Sequence, residues 1–382
     1  MEKENNSSFS LFSKSGTSKT MGKTIDREEE GEEEGLIVPF LHRDIMKNVL
    51  VRIPADLLHA NFMFQCKEWF NVISEQKQSF AESNVVNSKP GIIFIDSKVM
   101  GFIEFDGMDF KARELNTFKS DLRIVSGSCG LVLVQKEQEE GVFILNPVTN
   151  QILRVPPCCD HQCLWHELVF VPSSKEYKLV SMFNIISANL AVYHIRSLSG
   201  SFYCYSALVN EIDFPMHLLE DCSLFWNERI CVNGILYLNG GTKILSFDPC
   251  NMKEEVFLLP VPRPVRLIEL GGSIAFVSSR ESHKFPLVVW TLKDIDTGEW
   301  EKRFKIDPFP KPLSLGYFVW YHIVGSLNGG EVIVFAVEHK HQLLAYNLKT
   351  RQWKLTTLKP NYKGPSVRMC HRVHVNSLVW TP

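Results

Sequence analysis

Val142-Phe143-Ile144-Leu145-Asn146-Pro147-Val148-Thr149-Asn150-Gln151-Ile152-Leu153-Arg154-Val155 sets out the unit from which most of the chain is built. It holds four consecutive apolar residues, a polar turn of Asn, Pro and Thr, and a second run of strand-forming residues. A short apolar run between turn formers reads as a strand covered on both faces, and Asn and Pro supply the backbone conformations that a tight reversal needs. The unit recurs. Ile92-Ile93-Phe94-Ile95 is a run of the same kind, and polar turns fall near Asp96, Asn146, Ser197, Asp248, Asp296 and Asn347, at spacings of 50, 51, 51, 48 and 51. Second strands follow at Gln151–Val155, Ser201–Tyr205, Glu299–Phe304 and Gln352–Leu355, with aromatic residues Phe202, Trp300 and Trp353 shortly past their turns. Runs led by Gly130, Gly234, Gly272 and Gly330 supply further strands.

A period near 50 with strand, turn and strand in each unit is the pattern of kelch-type propeller blades, four-stranded sheets stacked around a channel. Six units fit the length. A β-sandwich with accidental spacing is the competing arrangement. A closing strand from Val373 to Trp380, paired with an early blade, would join the two ends of the ring.

Upstream the pattern changes. From Val38 to about Ser83 the apolar spacing is helical: Ile45, Val49 and Ile53 lie four apart before the break at Pro54, and Phe62, Cys66, Trp69, Phe70 and Ile73 form one stripe along a second helix. Some forty residues bury too little surface to stand alone, so this segment is expected to dock on the rest of the chain or on a partner. Residues 1–36 end in the acidic run Asp26 to Glu34 and carry five Lys/Arg against nine Asp/Glu. So polar a composition is expected to form a disordered acidic arm.

The 382 residues are 45% apolar with a net charge of −2, which leaves +2 outside the arm. That balance excludes a nucleic-acid footprint. The start of the chain lacks a basic-then-apolar leader and no run of 18 apolar residues occurs, so neither secretion nor a membrane span is expected. An intracellular protein with ten free, mostly buried cysteines follows.

Several short stretches, taken in order, resemble plant F-box proteins that carry an F-box-associated, kelch-like C-terminal region. Val49-Leu50-Val51-Arg52-Ile53-Pro54 resembles the family's I-L-x-R-L-P run, Gln65-Cys66-Lys67-Glu68-Trp69 with Ile73 its V-C-K-x-W…I run, and Pro39 its opening Leu-Pro. Downstream, Gly127-Ser128-Cys129-Gly130-Leu131 resembles G-S-C-N-G-L without the Asn, and Leu145-Asn146-Pro147-Val148-Thr149 resembles W-N-P-S-T. Tyr177-Lys178-Leu179-Val180, Val232-Asn233-Gly234, Ser246-Phe247-Asp248, Val289-Trp290-Thr291-Leu292 and Asn376-Ser377-Leu378 resemble later landmarks in their usual order. The resemblance implies a small α-helical F-box at 37–84 followed by an all-β kelch-like propeller at 90–382. It implies the substrate-receptor subunit of an SCF-type ubiquitin ligase, binding a Skp-type adaptor, through it a cullin complex, and a target protein that the sequence does not name. Pro39, Leu50, Ile53, Pro54, Leu57 and Trp69 would be adaptor contacts or their supports. The cytoplasm, the nucleus or both would be its compartment. Pro39 lies farther ahead of Pro54 than in the family pattern, and one extra residue separates Pro54 from Trp69. A non-ligase propeller scaffold with a degenerate F-box is therefore the alternative.

No chemistry and no cofactor are expected of the chain. Cys158-Cys159-Asp160-His161-Gln162-Cys163 with His166 is the densest ligand cluster, but it lies in one inter-strand stretch without the paired spacing of structural zinc, and buried thiols in a loop are the plainer reading. Gly127-Ser128-Cys129-Gly130 lacks nucleophile-elbow spacing and reads as a tight strand entry.

Overall fold

A computed structural model describes residues 42–75, 77–96, 98–106, 109–136, 141–156, 163–185, 190–198, 228–261, 266–279, 286–307, 321–337, 342–357 and 370–378. The acidic arm, Pro39, the Ser201–Tyr205 run and the cluster from Cys158 to Gln162 lie outside them.

The strands form six antiparallel sheets, the six blades of a β-propeller. Blade 1 holds β1 (Gly91–Asp96), β2 (Val99–Asp106) and β3 (Asp109–Thr117); blade 2 holds β4 (Leu122–Ser128), β5 (Leu131–Lys136), β6 (Val142–Leu145) and β7 (Ile152–Arg154). Blade 3 shows β8 (Cys163–Val171), β9 (Glu176–Ile185) and β10 (Leu190–Ser197) among the described residues. Blade 4 holds β11 (Arg229–Val232), β12 (Ile235–Asn239), β13 (Lys243–Asp248) and β14 (Lys253–Leu258); blade 5 holds β15 (Arg266–Leu270), β16 (Ser273–Ser279), β17 (Leu287–Asp294) and β18 (Glu299–Ile306). Blade 6 holds β19 (Tyr321–Leu327), β20 (Val332–Val337), β21 (Gln342–Asn347) and β22 (Trp353–Thr357). The last strand, β23 (Cys370–His374), returns to blade 1 and pairs with β1, Gly91 opposite His374 and Ile95 opposite Cys370. The first blade is thus completed by the C-terminal part of the chain.

Packing explains why the strands read as continuous apolar runs. All six residues of β20 and all four of β6 are buried, because neighbouring blades cover both faces of these inner strands. Six apolar clusters each span two adjacent blades, from the Ile93, Ile95 and Met100 contacts with Leu122 and Val132 round to Ile92 and Phe94 against Val332 and Val334. A sandwich would cover one face of each sheet; a closed ring of clusters covers both.

One turn design recurs between third and fourth strands. The side chains of Asn146, Asp248, Asp294 and Asn347 each accept a hydrogen bond from the backbone N–H two residues on, at 2.8–2.9 Å, and the residue four on has positive φ: Asn150, Met252, Gly298 and Arg351. In blade 5 Asp294 leads the turn and Asp296 lies within it. One sequence assignment needs correction. Asp96 precedes the turn between the second and third strands of blade 1, and the turn equivalent to Asn146 follows Asp106. The 50-residue spacing at that point joined two different turns, because blade 1 borrows its innermost strand from the C-terminal part of the chain.

Outer-strand aromatics close over the inner strands. Trp300 stands edge-on to Phe276 at 4.9 Å, and Trp353 packs on Tyr346 and Phe335 at 4.6 and 5.4 Å.

The helical segment comprises α1 (Arg43–Leu50), α2 (Ala55–Leu57) running into a π-helical turn at Leu58–Phe62, α3 (Lys67–Glu75) and α4 (Lys77–Asn87). Its core of Met46, Leu50, Ala55, Leu58, Ile73 and Phe80 continues into Val148 of blade 2 and Leu378 beyond β23. The expected docking on the rest of the chain is therefore present. The helical stripes are corrected in two respects. Met46 and Leu50 face the core while Ile45 and Val49 are 51% and 54% exposed; the i, i+4 spacing is satisfied by two adjacent stripes, and the sequence reading took the outward one. The Phe62-to-Ile73 stripe is broken, because the chain turns at Met63–Gln65 before α3 begins and leaves Cys66 exposed.

Candidate functional site

Two places have surface and chemistry to spare: the outer face of the helices and the channel mouth beside them. On the helices, Pro54 stops α1 from continuing and sets the turn into α2. Buried Asn84 of α4 holds that turn, donating to the carbonyls of Val51 and Ile53 at 3.0 and 2.8 Å. Arg113 of β3 locks the segment to blade 1 with Nε 2.6 Å from Asp56 Oδ2 and Nη1 2.9 Å from Glu104. Asn376 reaches Asp56 at 3.3 Å. This clamp is charge-assisted and mostly removed from water, so it is worth more than a surface pair.

Of the residues singled out from sequence, Leu50 is 2% exposed and supports the helical core. Ile53, Pro54 and Trp69 are half-buried, Trp69 against Phe62 at 5.8 Å. Leu57 is 37% exposed. Pro39 lies outside the described residues. Apolar groups also left open are Ile45, Val49 and Val86, with Phe64 and Phe70, the two phenyl rings 6.1 Å apart.

At the channel, the inner strands of blades 2 to 6 run to a ring of tight turns. Cys129-Gly130 between β4 and β5 and Asn233-Gly234 between β11 and β12 have positive φ at both residues, the geometry of two-residue hairpins. Each turn touches its neighbour: a Cβ on Gly130 would stand 2.2 Å from the Cβ of Ser377 in the segment after β23, and one on Gly330 2.7 Å from the backbone N of Gly271 in the next turn. The tight strand entry read at Gly127–Gly130 is this hairpin. Inside the ring lie polar groups that sequence reading left unassigned. Glu167 and Arg229 form a buried ion pair at 2.6 Å, and Ser126 Oγ donates to the same carboxylate at 2.6 Å. Arg229 also donates to the His166 carbonyl and sits 5.0 Å over the Trp165 ring. Burial, with Arg196 and Arg229 nearby, holds the His166 imidazole down at about 4. A carboxylate inside the apolar run Leu164–Val171 was the available signal, but its partner comes from the next blade.

Among the described residues no group of three or more His, Cys, Asp or Glu is placed to hold a metal; the Cys163 thiol lies 3.7 Å from His166 Nδ1, which bonds Ser181 Oγ at 2.8 Å. Cys66, Cys129, Cys163, Cys231 and Cys250 are free; the first two and Cys250 are exposed, and Cys163 and Cys231 are half-buried. Cys129 and Cys250 sit in turns and Cys66 precedes a helix, places that a propeller core does not cover. Among the described residues no helix is long and apolar enough to cross a membrane.

The described residues thus form a six-bladed propeller fused to a small helical segment. Residues 61–377 match the model of the F-box associated beta propeller domain. Two Arabidopsis thaliana proteins are similar along most of their length: an F-box protein, 23% identical over 338 residues (78% of this chain, 79% of that one), and an F-box/LRR-repeat protein, 22% identical over 376 residues (91% and 83%). The chain belongs to the F-box associated β-propeller family, as a plant F-box protein with its associated propeller domain.

Proposed function

We propose that this chain is the substrate receptor of an SCF-type ubiquitin ligase. Its F-box, residues 37–84, binds a Skp-type adaptor and through it a cullin; its kelch-like propeller, residues 90–382, binds the target protein. It works in the cytoplasm, the nucleus or both, and leaves the chemistry to its partners. The observation that carries this reading is apolar surface left open on helices whose other faces are already packed. Ile45 and Val49 on α1 and the Phe64–Phe70 pair are exposed while Met46, Leu50 and Ile73 fill the core. An outward stripe at i, i+4 on a docked helix suits a helix-groove partner. Leu57 joins these contacts; Leu50, Ile53, Pro54 and Trp69 support them from behind.

The test is capture of a purified plant Skp-type adaptor by wild type, by an Ile45→Asp, Val49→Asp double variant and by Leu50→Ala, with melting followed for each. The double variant is expected to fold and to lose more than tenfold in adaptor affinity, about 1.4 kcal/mol or more. Leu50→Ala is expected to lose stability first, by about 2–5 kcal/mol. If wild type captures no adaptor, the ligase reading falls and a propeller scaffold with a degenerate F-box replaces it.

A further inference from the structure

The inner strands of all six blades, with Val85 of α4, enclose a cavity of about 330 Å³ at the turn-ringed end of the channel. That is at the small end of ligand pockets and holds about one extended amino-acid side chain. Its charges are unevenly matched. Arg229 is held by Glu167 at 2.6 Å and Arg266 by Glu228 at 3.3 Å, so both guanidinium groups are already neutralised and neither is left to attract an anion. Glu269, the penultimate residue of β15, also lines the cavity and is accessible from it. The described partner of its carboxylate is the backbone N–H of Gly272, and among the described residues no Lys, Arg or His pairs with it.

Partial burial raises the Glu269 pKa above the usual carboxylate range. Cys231, on the adjoining blade, is raised by burial, then by Glu167 and more weakly by Glu269. Val85, Phe170, Leu267 and Val324 give the same cavity apolar wall beside its polar groups.

We propose that this mouth of the channel binds a primary ammonium or guanidinium group on a short unbranched alkyl stem, Glu269 taking the charge and the apolar walls covering the methylenes. A charge-assisted hydrogen bond at one end and apolar contact along the stem is how such amphipathic groups are held. Lys or Arg side chains of an extended peptide and free alkyl diamines share this chemistry. The inference does not rest on adaptor binding, since the six blades form the cavity whether or not the helices engage a ligase.

Calorimetric titration of the full chain tests it, with Nα-acetyl-lysine N-methylamide, Nα-acetyl-arginine N-methylamide and putrescine as cationic probes and the Nε-acetylated lysine amide as the neutral control. Saturable binding of the cations and none of the neutral amide is expected. Glu269→Gln, which keeps the shape of the side chain, should weaken binding at least tenfold with unchanged melting, and Glu269→Asp should retain part of it. Tighter binding of the amino-acid amides identifies a protein side chain as the ligand; tighter binding of putrescine identifies a free amine. Equal binding of the neutral amide, undiminished binding by Glu269→Gln, or no saturable binding by any cation at concentrations that fill a millimolar site overturns the proposal.

Discussion

Acidification should loosen the propeller at its closing strand. His374 ends β23 opposite Gly91, is 4% exposed and meets the Phe102 ring edge-on at 6.4 Å. Its Nε2 has no hydrogen-bond partner among the described residues. Burial holds the imidazole down at about 3, against about 6.5 in an unfolded chain. Between those two values the unfolded chain binds a proton that the folded one does not, so the His374 contribution is intact above pH 6.5 and is lost as pH falls toward 3. At pH 5 the loss is about 2 kcal/mol relative to pH 7.5. His166, held at about 4, pulls the same way with about as much at that pH. Against a total stability of roughly 5–15 kcal/mol this is a large share. Denaturant unfolding at pH 7.5, 6 and 5 should show it, and His374→Phe, which keeps an aromatic ring but cannot titrate, should flatten the dependence by about 2 kcal/mol between the end points. The difference between wild type and variant is the decisive quantity, because carboxylates elsewhere titrate in both. If His374→Phe keeps the full wild-type slope, the imidazole is not buried neutral and the reasoning fails.

Further outcomes follow from particular contacts. Arg113→Ala leaves Asp56 largely buried without its guanidinium, and should cost about 2–4 kcal/mol and speed proteolysis between α4 and β1 as the helices come off blade 1. Gly130→Ala should cost clearly more than Gly241→Ala in thermal melts: both glycines have positive φ, but a Cβ at Gly241 meets nothing within 4 Å while one at Gly130 meets Ser377 at 2.2 Å. The backbone term alone is about 1–2 kcal/mol, and equal losses at the two positions would mean that Ser377 gives way freely. Arg229→Ala strands the Glu167 carboxylate in a dry wall and should cost about 3–5 kcal/mol, whereas the Arg229→Met, Glu167→Leu double replacement should recover much of it in the same unfolding assay.

How much of this was legible beforehand depended on the range of the interaction. The Asn146 and Asn347 turns announce themselves, since an Asx side chain bonds its own backbone two residues on and needs nothing from elsewhere. The turn near Asp296 is legible in the same way, while only the backbone path makes Asp294 its leading residue. On α1 the spacing was correct and the face was wrong: Ile45/Val49 and Met46/Leu50 are equally periodic, and burial alone distinguishes them. The same limit hid the channel chemistry. Glu167 is a carboxylate within an apolar strand, yet its partner Arg229 belongs to the next blade, and Glu269 matters only because the cations near it are already taken.

By itself the sequence determined local conformation and period: consecutive apolar runs, Asx and Gly turns, and six repeats behind a helical segment, all set by interactions within a few residues. Tertiary structure alone decided which strand completes blade 1, which helical stripe faces outward and which carboxylate is left without a cation. Those depend on closure of the ring, where β23 pairs with β1 and contacts between residues far apart in the chain remove one face from water and leave another open.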